Sequence, residues 1–200
     1  MKKLLLIAAL LGCFFALWAE TAVISNDTAK LEFRVVHEDS DRLIARKSDE
    51  FKRKNPNGGE TEKKLFLKTN APGGHELLSF SGTNLNGDVT RRYYYVSKKV
   101  EMDGEDVSEA SVGKDQWGSP LIRVLFNPRG SRNFAELTGK NVGRQLAIVI
   151  NSRLCCTPYI RAAITGGDIA ITGPFTEEEA NSLVKALTGK KQPCDIRSEL

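Results

Sequence analysis

Histidine is nearly missing from this chain. Two residues, His37 and His75, serve 200 positions, and both lie in charged or loop sequence. A hydrolase triad therefore has little to build on, and no G-x-S-x-G elbow supplies a serine nucleophile. Zinc wants several Cys and His ligands close together, yet the four cysteines fall at Cys13, Cys155, Cys156 and Cys194. The C-x-x-C spacing of thiol oxidoreductases is missing as well. Gly166, Gly167 and Gly173 invite a phosphate loop, but Pro174 and Phe175 follow where G-K-[ST] is needed. Turn and close-approach roles suit those glycines better. Asp103, Glu105, Asp106, Glu109 and Asp115 lack the spacing and closing glutamate of a calcium loop. The catalytic, cofactor-binding and metal-ligand expectations are accordingly none.

After Trp18 no stretch is apolar enough to cross a bilayer. Ahead of it, Met1-Lys2-Lys3 and the run from Leu4 to Leu11, continued by Phe14, Phe15, Leu17 and Trp18, form a charged lead and an apolar segment. That segment is about 15 residues, short of the roughly 20 that span hydrocarbon. With Ala19 at a cleavable position, residues 1–19 read as an export signal. An uncleaved anchor is the alternative, and so is a lipoprotein signal acylated at Cys13. Contact with a membrane is expected only through such an anchor or lipid. Export permits disulfides. Cleavage would leave Cys155, Cys156 and Cys194, an odd count in which one thiol stays unpaired within a monomer. Adjacent strand residues point to opposite faces, so one of Cys155 and Cys156 is expected inside, and the outward one could bridge to Cys194.

Charge of one sign is not in large excess either. The formal charge is +4, and removing Lys2 and Lys3 lowers it to +2. The basic residues alternate with acidic ones along the sequence, which argues against a nucleic-acid partner.

What is present is a series of short alternating strands with a few helices, the pattern of an α+β fold. Leu31, Phe33 and Val35 mark one face of a first strand. Glu38 to Lys54 reads as a charged helix ended by Asn55-Pro56-Asn57-Gly58-Gly59. Lys64 to Thr69 is predicted as a short strand, with Leu65 and Leu67 on one side. An extended piece starts at His75, and Asn84 to Asp88 is a break taken as the boundary between two subdomains. Tyr93 to Val96 opens another strand. Tyr93 and Tyr95 are candidate contacts for an extended polypeptide, although core roles explain such residues as well. Ser119 to Phe126 is a strand, Ser131 is the predicted N-cap of a helix carrying Phe134 and Leu137, and Val142 to Ile150 is a buried strand. Asn151-Ser152-Arg153 then reverses the chain into Leu154-Cys155-Cys156 as a hairpin. Ile169 to Ile171 is a strand. Thr176 with Glu179 forms a capping box for a helix with Ala180, Leu183, Val184 and Leu187 on one face, stopped at Gly189.

Five blocks carry a family likeness: L-E-F-R-V-V at 31–36, G-E-D-V-S-E-A-S-V-G-K-D at 104–115, F-A-E-L-T-G-K-N-V-G-R-Q-L-A-I-V-I at 134–150, P-Y-I at 158–160 and G-G-D-I-A-I-T-G-P-F-T-E-E-E-A at 166–180. In this order they resemble the first periplasmic domain of SecD, a membrane protein of protein export. The resemblance implies a small ferredoxin-like base portion at 30–86, an α+β head with antiparallel strands at 87–190 and a polar tail at 191–200. It also implies a non-catalytic, exported, periplasmic chain standing alone at the outer face of the cytoplasmic membrane. Its partners would be unfolded or translocating polypeptide, or components of the Sec translocase. An envelope interaction or structural module with the same fold is the alternative. Asn151-Ser152 replaces the family's usual Asp-Gly, and Cys155-Cys156 is unusual at that place.

Overall fold

A computed structural model describes residues 30–83, 89–173 and 175–188. The predicted signal or anchor at 1–19, Cys13, the break at 84–88, Gly189, Cys194 and the tail at 191–200 lie outside the described residues. Within them run β1 (Leu31–Val35), α1 (Ser40–Lys54), α2 (Glu60–Thr69), β2 (His75–Thr83), β3 (Val89–Ser97), β4 (Met102–Asp103) and a 3-10 turn (Gly104–Asp106). These are followed by β5 (Val107–Lys114), β6 (Pro120–Phe126), α3 (Pro128–Lys140), β7 (Leu146–Ile150), β8 (Arg153–Cys156), β9 (Asp168–Thr172) and α4 (Glu177–Thr188). Helices and antiparallel strands give the α+β fold expected.

Three antiparallel sheets result, in the orders β4-β1-β7-β8, β2-β3 and β5-β6-β9. β1 is an inner strand, and its partner β7 lies more than a hundred residues further along, in the register Leu31↔Ile150 to Val35↔Leu146. The pleat of the four-stranded sheet sorts residues into two cores. On one face Leu31, Phe33, Leu146, Ile148 and Ile150 pack against β5, β6, β9, α3 and α4. Phe33, Phe126 and Phe134 meet there with ring centroids 5.2–5.9 Å apart, an edge-and-tilt cluster favoured by the ring quadrupoles. On the opposite face Val36, Ala147, Val149 and Leu154 pack against Tyr94 and Val96 of the β2–β3 hairpin. Beside them Arg34 on β1 bonds Glu32 of its own strand and Glu76 of β2.

The other face of that hairpin is covered by α1 and α2. Here the structure corrects the strand predicted at 64–69, which is the second half of a helix. Leu67 is fully buried while Leu65 is 64% exposed, whereas a strand would have put both on one face. Glu and Lys favour a helix, and the Glu62 carboxylate accepts the Gly59 N–H at its start. A second correction concerns α3. Its N-cap is Asn127, whose side chain accepts the Gly130 N–H at 2.8 Å, with Pro128 in the first turn. Ser131 is one turn inside, where its hydroxyl donates to the Asn127 carbonyl. The predicted capping box of α4 is present, with Thr176 Oγ1 accepting from Glu179 N–H and Glu179 accepting from Thr176 N–H.

Candidate functional site: an apolar groove between α3 and β9

The segment from Thr157 to Gly167 has no regular periodicity, and its backbone is held from two sides. Pro158 and Ile160 pair with the stretch leading into β7, through Leu146 N–H to Pro158 O, Gly143 N–H to Ile160 O and Ile160 N–H to Arg144 O, at 2.8–3.0 Å. Further on, Thr138 of α3 is fully buried. Its hydroxyl donates to the Phe134 carbonyl at 2.7 Å and accepts the Ile164 N–H at 2.9 Å. One hydroxyl thus uses both donor and acceptor capacity to pin the segment to a helix. At the far end Gly167 has φ +68, and a Cβ there would stand 2.1 Å from Ser131 Oγ. Only glycine fits that approach.

Held this way, the segment forms one wall of an open groove of about 500 Å³. Phe134, Leu146, Ile148 and Ile160 form the floor, and Ile169 and Ala170 of β9 line the opposite side. Tyr159, 63% exposed, and Ile164 stand at its rim. Arg161 and Asp168 put one charge of each sign beside it. A mostly apolar, open trough of this size suits a side-chain-bearing chain segment more than a compact polar metabolite. No local pattern signals it beyond the isolated P-Y-I block.

Tyr93 and Tyr95, predicted as polypeptide contacts, are elsewhere and turned inward, at 7% and 0% exposure. Tyr93 donates its hydroxyl to Glu60 and Tyr95 to the Leu67 carbonyl, so both fasten α2 to the hairpin. They offer no surface to a polypeptide. Burial, then the bond to Glu60, raises the Tyr93 hydroxyl above its ordinary value, and burial alone raises Tyr95.

Cys155 is buried and Cys156 partly so, and both are free thiols. Both nevertheless touch the same core, because a register irregularity opposite β8 at Ile148/Val149 breaks simple alternation. Burial pushes Cys155 up to about 11, and burial with the neighbouring Cys155 pushes Cys156 up to about 12. Inert packing follows from that, since the thiolate is the reactive form.

The acidic run closes turns. Asp103 accepts the Glu105 N–H, and Asp115 accepts those of Trp117 and Ser119. Asp106 is buried. Burial raises its carboxyl, but bonds from Arg129, Asn127 and Asn133 and the Arg129 charge outweigh that and hold it below the usual range. His37 and His75 meet edge to face, with centroids 4.8 Å apart. His37 Nδ1 accepts the Asp39 N–H, and His75 Nδ1 donates to the Gly73 carbonyl. Among the described residues no helix is long and apolar enough to cross a membrane.

The SecD and SecDF proteins of several bacteria are similar in sequence. The SecD subunit of protein translocase from Rickettsia typhi is 40% identical over 105 residues, which is 52% of this chain and 20% of that protein. The SecDF subunit from Thermus thermophilus is 31% identical over 171 residues, 84% of this chain and 20% of that one. This chain therefore spans about a fifth of the length of these curated relatives. Among solved structures, one described as a membrane component SecDF that enhances protein export aligns over 82% of this chain and 63% of its own, with a TM-score of 0.53 and 29% identity. A crystal structure of SecDF in a super-membrane-facing form gives the same TM-score at 27% identity, covering 82% of this chain and 19% of that one. The family described as SecDF, P1 head subdomain matches residues 77–191, a span that takes in α3, the pinned segment and every residue of the groove. The chain belongs to the SecDF P1 head subdomain family.

Proposed function

We propose that this chain is a non-catalytic, exported module of protein translocation that receives an extended polypeptide in the groove between α3 and β9. Exposed Tyr159 and Ile164 beside an apolar floor are the observation that carries the reading. Apolar side chains of an unfolded segment would gain by leaving water there, at about 25 cal/mol per Å². The family membership supports the same role, because its named relatives are protein translocase subunits. Contact with Sec components is the second half of the proposal. A periplasmic location, a base-like portion over 30–86 and a head-like portion over 87–190 belong to it as well. The carboxylates of Asp103, Asp106 and Asp115 are taken up in turns and an ion pair, which supports binding without chemistry.

Site-specific photocrosslinking tests it. A photoreactive residue at Tyr159 or Ile164 is expected to capture a stalled secretory chain, while one at exposed Val142, outside the groove, captures far less. Equal yields at all three positions, or none from a folded protein, would sink the proposal.

A further inference from the structure

Along the sequence the basic residues are interspersed with acids, but folding leaves one face with an excess of cations. α1 and α2 lie side by side on one face of the β2–β3 hairpin, joined by the Phe51–Phe66 ring contact. They are fastened to it by Tyr93 and Tyr95 and by Ser40 Oγ, which accepts the Tyr95 N–H. Their inward stripes are Ser40 and Phe51 on α1 and Leu67 on α2. The outward stripes follow from helical spacing. α1 presents Asp41, Arg42, Arg46, Asp49, Lys52 and Arg53, and α2 presents Glu62, Lys64, Leu65 and Lys68, all exposed. Six cations, Arg42 among them paired with Asp39, thus face outward with three carboxylates, Asp41, Asp49 and Glu62. The acids Glu50 and Glu60 lie to the sides, where they pair with Lys54 and Lys63.

We propose that this outer face of α1 and α2 docks on an anionic lipid bilayer. Charge complementarity is the first argument, because six cations against three carboxylates leave the face net positive, and each Lys or Arg adds attraction to lipid phosphates. Leu65 is the second. At 64% exposure between Lys64 and Lys68, it has the apolar-among-basic setting of a side chain that enters the headgroup layer. A nucleic acid would use the cations and leave Leu65 in water. Reach is the third argument. Twelve residues separate the apolar run ending at Trp18 from β1, and a fully extended chain covers about 40 Å over that length. Whenever that run is in a membrane, the α1–α2 face is within reach of the same surface.

Vesicle partitioning of the full chain tests this. Vesicles of phosphatidylcholine alone register what the apolar N-terminal run contributes. Adding about 30% phosphatidylglycerol is expected to raise partitioning at least about tenfold, and about 0.5 M salt to abolish the increment. The variant R46E/R53E/K64E, with an unchanged circular dichroism spectrum, is expected to lose the increment. The control R132E/R144E/K185E, placed on α3, its following loop and α4, is expected to keep it. Leu65→Ser is expected to weaken the increment severalfold while its salt dependence remains. Equal partitioning on both vesicle types would overturn the proposal. So would a control triple that loses as much as the α1–α2 triple, or binding to a soluble polyanion such as heparin with no gain on anionic vesicles.

Discussion

Replacing Ser152 by glycine should make the protein more stable. Asn151 and Ser152 are the two central residues of the β7–β8 hairpin, and both have positive φ, 50° and 64°. A two-residue turn of that kind demands left-handed backbone at both positions because only that twist matches the flanking strands. Asn151 is well suited. Its side chain accepts the Lys30 N–H at 2.8 Å, and its own N–H donates to the Lys30 carbonyl at 3.0 Å. Ser152 has no such compensation among the described residues. Left-handed backbone costs a residue with a Cβ roughly 1–2 kcal/mol. Glycine removes that strain but gives back about 0.5–1 kcal/mol through its greater freedom in the unfolded chain. The net expectation for Ser152→Gly is a gain of about 0.5–1 kcal/mol. For a chain of this length that corresponds to a rise of about 1–4 °C in Tm, readable by circular dichroism or calorimetry. Asn151→Gly serves as the contrast, because it discards the bond to Lys30 and should leave Tm level or lower it. An unchanged or reduced Tm for Ser152→Gly, or an equal gain from Asn151→Gly, would refute the strain argument.

Thr138→Val keeps the shape of α3 but strands the Ile164 N–H, so it should cost about 1–3 kcal/mol and speed amide exchange across 157–165; unchanged exchange there would show that the hydroxyl does not hold the groove wall. Acid should destabilise the fold through Asp106 and Glu32. In Glu32, as in Asp106, burial raises the carboxyl but is outweighed, here by bonds and charge from Lys30 and Arg34. Folded values below the unfolded ones of about 3.9 and 4.3 mean the unfolded chain binds more protons in acid. Their contribution is whole above about pH 5 and is lost as pH falls through the lowered folded values. Guanidinium titrations across pH should follow that course, and Asp106→Asn should flatten it. Alkylation of Cys155 and Cys156 at about pH 8 should be at least about a hundredfold slower in the folded protein than in denaturant, because values near 11 and 12 leave few thiolates; labelling at an equal rate, mapped by mass spectrometry, would contradict their burial.

Where one physical signal dominated, the sequence was readable. Leu31, Phe33 and Val35 alternate because one face of β1 is core, and Leu146 to Ile150 is continuously apolar because both faces of β7 are covered. Thr176 and Glu179 announced α4 through a local hydrogen-bond pattern that needs no tertiary context. The error at 64–69 came from counting Leu65 and Leu67 as a pair while Phe66 and the surrounding Glu and Lys favoured a helix. The late start given to α3 came from choosing Ser131 over Asn127, two acceptable caps one turn apart. The groove was the least legible feature. Its wall is fixed by Thr138 and Gly167 reaching across more than twenty residues in the first case and more than thirty in the second, and no window of local sequence contains both ends of such a contact. Mixed charge along a helix likewise says little about a surface until its buried stripe is known.

The pairing of β1 with β7 has a consequence for the order in which the molecule can take shape. Its first strand sits in the interior of a sheet whose other inner strand ends at Ile150. A chain that emerges N-terminus first, from a ribosome or through a membrane, presents residues 31–35 long before their partner exists. Contacts so distant in sequence delay closure. The chain as far as Ile150 must therefore be available before the central sheet can lock. Until then residues 31–35 lack the strand that holds them inside the sheet.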